Sequence, residues 1–316
     1  MAKILKKFPK ISGKKSAQID MAAIKKQIEA ELNSGKIKPK QAEILKQREP
    51  LKQRLDQLSE KKLETTKKID KNKWIQTGIE GFDQLLEKGI PKGTSILVCG
   101  GPGSGKTIFC LQTLAYAAQQ NEKCLYMTFE EAPERLLEHM ADFGWDGKKM
   151  IKNGKLVIKK YNPYDVTRQV EAMLESAKGE LLIDVKPMLF PQGFKPDRII
   201  IDSLSAIASA FVGKEDTYRI YIEQLFRIFE EIGATSFLIS ETTELPKKLT
   251  ASGVEEFLAD GVIVIYNIKH GNVRESAIEC LKIRGAAFQK KVVAMQIEAG
   301  KGIVVYPEQE VFSEVE

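Results

Sequence analysis

Histidine is nearly missing from this chain: His139 and His270 are the only two among 316 residues. A catalytic triad built on imidazole, or a His-rich zinc site, is close to excluded by that count. Cysteine is scarce as well. Cys99, Cys110, Cys124 and Cys280 are scattered with no C-x-x-C spacing, so neither a disulfide framework nor a thiolate metal site is indicated, and a reducing, cytoplasmic setting fits. Cys99 and Cys124 sit in apolar runs, where a small buried hydrophobe is the plain reading. No segment reaches the ~18 consecutive apolar residues of a membrane span. The Lys-rich start lacks the apolar block that a secretory signal would need. Aromatic side chains are absent between Phe8 and Trp74, which removes the platforms on which unpaired bases stack.

What is present is unevenly distributed. Residues 1–73 hold 21 Lys and Arg against 9 Asp and Glu, a net charge of +12, whereas the remainder holds 28 against 34, a net of −6. Two physically different modules are implied. Residues 1–15 are basic and aperiodic and are expected to be disordered. Over residues 16–73 the pattern predicts a basic, coiled-coil-like helical hairpin. Its first helix is capped by Ser16, carries Ile19, Ala23, Ile24, Ile28 and Leu32 on one face and stops at Asn33-Ser34-Gly35. The second follows Pro39 with Ile44, Leu51, Leu55, Leu58 and Leu63, and Pro50 imposes a kink or restart.

From Trp74 to residue 316 the pattern is that of one α/β domain. Apolar runs at Ser95–Cys99, Cys124–Phe129, Leu156–Ile158, Arg198–Asp202, Ser236–Ser240 and Val262–Tyr266 alternate with helical patterns such as Ile108–Gln120, Glu134–Phe143 and Tyr218–Ile232. Continuously apolar strands between helices argue for a mainly parallel sheet covered on both faces. Ser276–Ile283, Val292–Glu298 and Gly302–Tyr306 follow without helices and read as antiparallel strands extending the sheet.

Gly100-Gly101-Pro102-Gly103-Ser104-Gly105-Lys106-Thr107 stands directly between the first of these strands and a helix. It is the G-x-x-x-x-G-K-[ST] phosphate-binding loop in its required setting. Glycines let the backbone N–H groups of Gly103, Ser104 and Gly105 surround a phosphate; Lys106 supplies a point charge to the β/γ-phosphates, and the Thr107 hydroxyl can ligate Mg²⁺. Binding of a nucleoside triphosphate follows. Asp202 ends an apolar strand and can hold Mg²⁺ through its water shell. Glu130 and Glu131 end the strand after the loop's helix. They could polarise an attacking water, or they could cap the helix that begins at Pro133. Lys282 and Arg284 share one face of a late strand. They could be a solvated pair on an edge strand, or cationic fingers that complete a neighbouring subunit's site.

Several further segments carry a family resemblance. These are Thr77-Gly78-Ile79-Glu80-Gly81-Phe82-Asp83, Gly89-Ile90-Pro91-Lys92-Gly93, Thr128-Phe129-Glu130-Glu131-Ala132-Pro133-Glu134, Phe143-Gly144-Trp145-Asp146, Ile201-Asp202-Ser203-Leu204-Ser205, Gly253-Val254-Glu255-Glu256-Phe257 and Leu281-Lys282-Ile283-Arg284-Gly285. With the phosphate loop, over residues 74 to 307, they resemble the KaiC-like branch of the RecA/RadA ATPases. The resemblance implies a RecA-like core and a ring or filament, usually a hexamer, with ATP at subunit interfaces. It also implies that Glu130 and Glu131 are paired catalytic carboxylates, that Lys282 and Arg284 act in trans, and that Glu241-Thr242-Thr243 occupies the γ-phosphate sensor region.

The chain departs from the family's clock members in having one copy of the domain rather than two. Glu256 and Phe257 stand where the family's kinase domain has phosphate-accepting Ser and Thr, so autokinase activity is not expected. Phe288 replaces a frequent His, and residues 177–195 read as longer than usual. The leading reading is therefore an Mg-dependent regulatory or scaffold ATPase. The alternatives are a nucleic-acid-binding RecA/RadA-like ATPase using the basic arm, and a nucleotide-binding interaction module with little turnover. The arm's partner could be nucleic acid, an acidic protein, a membrane surface or the ring itself.

Overall fold

The computed structural model describes residues 74–176, 190–191, 193–242, 249–250, 253–270 and 272–311. The basic stretch 1–15, the hairpin expected over 16–73 and most of 177–195 lie outside the described residues.

The domain opens with a small antiparallel ribbon, β1 (Trp74–Ile75) and β2 (Ile90–Pro91), flanking the short helix α1 (Phe82–Leu85). Asp83 holds this entry together. Its carboxylate accepts the N–H and hydroxyl of Thr77 at 2.8 and 2.7 Å and the N–H of Gly78 at 2.9 Å. The Thr-Gly-Ile-Glu-Gly-Phe-Asp segment is thus a self-capped turn that places Ile79, Phe82, Leu85 and Leu86 in the core.

The main body is a nine-stranded sheet. In chain order its elements are β3 (Ser95–Gly100), α2 (Lys106–Gln119), β4 (Cys124–Thr128), α3 (Pro133–Asp142), α4 (Gly147–Lys152), β5 (Leu156–Lys160), α5 (Pro163–Ser176), β6 (Arg198–Asp202), α6 (Leu204–Ser209), α7 (Glu215–Ile232), β7 (Thr235–Glu241), α8 (Val254–Leu258), β8 (Gly261–His270), β9 (Val273–Ile283), β10 (Val292–Glu298) and β11 (Gly302–Glu310). Across the sheet the order is β11-β10-β9-β8-β3-β7-β6-β4-β5. The strands from β8 to β5 are parallel, and β9, β10 and β11 continue antiparallel. This is the expected α/β architecture, with one correction to it. β9 is not an edge strand: it lies between β8 and β10, with β11 outermost.

Because the central strands are buried on both sides, alternate residues feed two cores. Ile96, Val98, Tyr126, Ile200, Phe237 and Ile239 face α2 and the C-terminal strands, with Phe109 of α2 edge-on to Phe82 at 5.5 Å between ring centroids. Leu97, Cys99, Leu125, Met127, Ile199, Ile201 and Leu238 face α5, α6 and α7. Each such side chain contributes about 1.5–3 kcal/mol. All four cysteines are buried free thiols, and burial pushes Cys99, Cys124 and Cys280 up to about 12.

The sheet's two edges are treated differently. β5 becomes exposed toward Lys159 and Lys160, whereas β11 is flanked by Glu80, whose carbonyl accepts the N–H of Val305 at 2.9 Å. Arg198, 1 % exposed, begins β6. It binds both Glu122 oxygens at 3.1 Å and donates to the carbonyls of Gln76 at 3.2 Å and Thr113 at 3.0 Å, tying β6, α2 and the segment after β1. Among the described residues, no helix is long and apolar enough to cross a membrane.

Candidate nucleotide site

Brought together at the carboxyl ends of β3, β4, β6 and β7 are the phosphate loop, Glu130, Asp202 and Glu241, where open parallel sheets bind ligands. Register sets the levels: Thr128 lies opposite Asp202, and Gly100 opposite Glu241. The loop itself is shaped by close approach. A Cβ on Gly100 would stand 2.4 Å from the Ile265 carbonyl oxygen, so the strand end must be glycine. Gly105, at φ 99°, turns the chain into α2 through a left-handed conformation. Gly101 and Ser104 are buried, and Pro102 and Gly103 are exposed at the rim.

Lys106 is 7 % exposed, and its Nζ donates to the Gly101 carbonyl at 2.8 Å. Burial lowers its pKa, while Glu241, Asp202 and Glu130 act the other way in that order. Thr107 donates its hydroxyl to Asp202 Oδ2 at 3.1 Å, and Tyr126 donates to the same oxygen at 2.5 Å. Burial raises Asp202 to about 6; the hydrogen bonds from Tyr126 and Thr107 oppose the rise, and Glu130 and Glu131 add to it. Among the described residues, Ser104 Oγ is buried with no hydrogen-bond partner.

The two glutamates point to different surroundings. Glu130 Oε1 accepts the Ser203 hydroxyl at 2.6 Å, beside Asp202, and its backbone carbonyl accepts Lys160 Nζ at 2.9 Å. Glu131 Oε2 instead lies 3.2 Å from His139 Nε2 and 3.6 Å from Arg135 Nε on α3. Neither caps α3 by a side-chain hydrogen bond: its N-cap is Ala132, with Pro133 in the first turn. Beyond the glutamates, Thr242 N–H donates to the Gly100 carbonyl at 3.1 Å, so the residue that follows β7 borders the loop.

Lys282 and Arg284 are elsewhere. Ile283 pairs with Gly261, and Gly261 faces Ile96 on β3. That is four residues before Gly100, about 13 Å along the strand. Lys282 Nζ donates to the carbonyls of Ala259 at 2.8 Å and Glu256 at 3.1 Å. Arg284 donates to the Phe257 carbonyl at 2.8 Å and lies 3.5 Å from Asp260 Oδ1.

Tyr126, Ser203 and His139 are the site's additions to the sequence reading. A period-two count along β4 places Tyr126 on the face of Thr128, and hence of Asp202, once β4 and β6 are known to pair.

The fold and the loop define a nucleotide-binding ATPase domain of the α/β class. Residues 75–310 match the KaiC ATPase family, and the chain belongs to that family. It is 35 % identical over 233 residues to the circadian clock protein KaiC3 of a Synechocystis species, covering 74 % of this chain and 45 % of that protein. It is 31 % identical over 243 residues to the circadian clock oscillator protein KaiC of Synechococcus elongatus, covering 74 % and 44 %. The chain thus spans about half the length of these relatives. The crystal structure of a KaiC-like protein from the archaeon Pyrococcus horikoshii superposes with a TM-score of 0.60 at 32 % identity, covering 74 % of this chain and 99 % of that one.

Proposed function

We propose that this chain binds ATP with Mg²⁺ and hydrolyses it, in assemblies of its own copies where Lys282 and Arg284 serve a neighbour's nucleotide. The reading is carried by one constellation: Lys106, Thr107, Asp202 and Glu130 converge on the mouth of the phosphate loop, with Thr107 and Asp202 3.1 Å apart. The residues fit the ligand. Ser104 offers an unpartnered buried hydroxyl. Lys106 rests on a loop carbonyl that a phosphate oxygen can replace. Thr107 and Asp202 form a sparse oxygen pair of the kind Mg²⁺ accepts, since that ion keeps several waters.

Bound there, the ion would neutralise charge on the β- and γ-oxygens. The chain's own groups do the rest. Loop N–H groups and Lys106 orient the phosphates. Tyr126 fixes the rotamer of Asp202, and Ser203 fixes Glu130 so that its other oxygen can orient a water in line with the γ-phosphate. Burial of Lys106 and Asp202 makes each interaction stronger than it would be in water.

In trans action of the basic pair is supported by its distance from the chain's own loop. A regulatory or scaffolding use of turnover, as opposed to phosphate transfer onto the chain, is supported by Glu256 and Phe257 having no hydroxyl. Two experiments test these readings. Lys106→Ala should abolish ATP hydrolysis and weaken ATP binding, measured by phosphate release and calorimetry; parental behaviour would remove the site. Arg284→Ala subunits, inactive alone, should regain activity when co-assembled with Lys106→Ala subunits, because some interfaces then pair an intact arginine with an intact loop.

A further inference from the structure

Glu256 lies outside the constellation above, yet its carboxylate is heavily engaged. Oε1 accepts the N–H of Leu249 at 2.9 Å, the N–H of Thr250 at 3.0 Å and the Thr250 hydroxyl at 3.3 Å. Thr250 is buried, and its hydroxyl oxygen accepts the N–H of Gly253, the residue preceding α8, at 3.1 Å. Leu249 is tied in turn to the end of β7, where the Ser240 hydroxyl donates to its carbonyl at 3.1 Å. One carboxylate therefore ties α8 to residues 249–250.

The other end of α8 holds the cations. The carbonyls of Glu256 and Ala259 accept Lys282, and that of Phe257 accepts Arg284. These are the unpaired carbonyls of a helix C-terminus, where cations are favoured. At five residues α8 is too short to hold its own shape. Its geometry must come from anchors, among them Glu256 toward residues 249–250 and Glu255, which accepts the Tyr218 hydroxyl of α7 at 2.6 Å. Glu255 is buried and pins the helix to the body. Glu256 ties the same short helix to residues 249–250, and the carbonyls at its other end seat Lys282 and Arg284.

We propose that Glu256 is a positioning residue for the neighbouring copy's nucleotide site: it fixes α8, α8 fixes Lys282 and Arg284, and those cations complete the site next door. The proposal rests on the trans reading of the basic pair. It makes an unusual demand, namely that a carboxylate with no contact to its own phosphate loop should matter to hydrolysis only through a neighbour.

The full chain tests it by mixing. Glu256→Ala alone should bind ATP with parental affinity and lose kcat by about tenfold to a hundredfold, the cost of misplacing a positioned group. Glu256→Gln, which keeps an acceptor oxygen, should retain most of the activity. Thr250→Val, which removes one donor to that oxygen, should give a milder loss and serves as the test should Glu256→Ala fail to fold. Co-assembled with Lys106→Ala subunits, verified by native mass spectrometry, Glu256→Ala should recover activity in parallel with Arg284→Ala. Recovery with Arg284→Ala but none with Glu256→Ala would overturn the proposal, showing Glu256 to act within its own subunit. Parental kcat in Glu256→Ala would overturn it as well. Failure of Arg284→Ala itself to recover would instead remove the trans reading, and the proposal with it.

Discussion

Asp202 shows what it costs to bury a carboxylate in a binding site. Its carboxyl is raised from the ordinary 3.8 to about 6, chiefly by burial, which corresponds to about 3 kcal/mol. Because the folded-state value lies above the unfolded one, the ionised group destabilises the nucleotide-free fold. The penalty is absent below about pH 4, grows between about pH 4 and 6 and is complete above. Asp202→Asn should therefore melt several degrees higher than the parent at pH 7.5 without nucleotide, with the gap closing as pH falls toward 4, while hydrolysis is lost. Calorimetry across that range checks both the sign and the window. The glutamates separate in the same way. Glu130→Gln should keep ATP affinity and lose kcat by about 10²-fold or more, as expected for a group that acts in the transition state. Glu131→Gln should lose less, since its carboxylate is held by His139 and Arg135 on α3. Steady-state kinetics with separate binding measurements decide the order. The phosphate loop and Asp202 are legible in the sequence because contiguous residues make the first, and a strand end beside it explains the second. Tyr126 and Ser203 are not, because their work depends on which strands pair: Tyr126 meets Asp202 only through the β4–β6 register across 76 positions of chain.

At the scale of elements, the sequence pattern predicts every strand of the large sheet, because period-two and all-apolar runs depend only on local burial. It misplaces β9. The antiparallel tail is legible as an extension of the sheet, but nothing local orders its three strands, so the one that carries Lys282 reads as an edge although β10 and β11 add beyond it. The docking of Lys282 and Arg284 on α8 was hidden for the same reason, since a helix C-terminus attracts cations from anywhere in the fold. Arg198 is a comparable case. A buried guanidinium at a strand start reads as an interruption of the apolar run, but it joins three elements through Glu122, Gln76 and Thr113. Glu122→Ala should leave that charge buried without its carboxylate and cost about 3–5 kcal/mol. Arg198→Met should cost less, because it removes the charge along with the need for a partner. Urea unfolding of both variants gives the comparison.

At the scale of the whole molecule, the contrast between basic residues 1–73 and the acidic remainder bears on partners. A chain beginning at Asn72 should keep ATP binding, because each residue of the nucleotide constellation lies in the domain. If residues 1–73 bind nucleic acid through Lys and Arg contacts, the intact chain should bind it with an affinity that falls steeply with salt, and the shortened chain should lose most of that binding. Fluorescence anisotropy over a salt series measures this; equal binding by both forms would move the contact to the domain, and none by either at low salt would leave an acidic protein as the arm's better candidate.

The edges of the sheet have their own consequence. Lys159 and Lys160 stand exposed at the end of β5, and Glu80 bridges β11 at Val304, two features that discourage another copy from adding a strand. The copies in the proposed assembly would then meet through side chains in preference to a shared ladder of peptide hydrogen bonds. Charged and covered edges of that kind steer crowded, newly made chains away from fibrous growth.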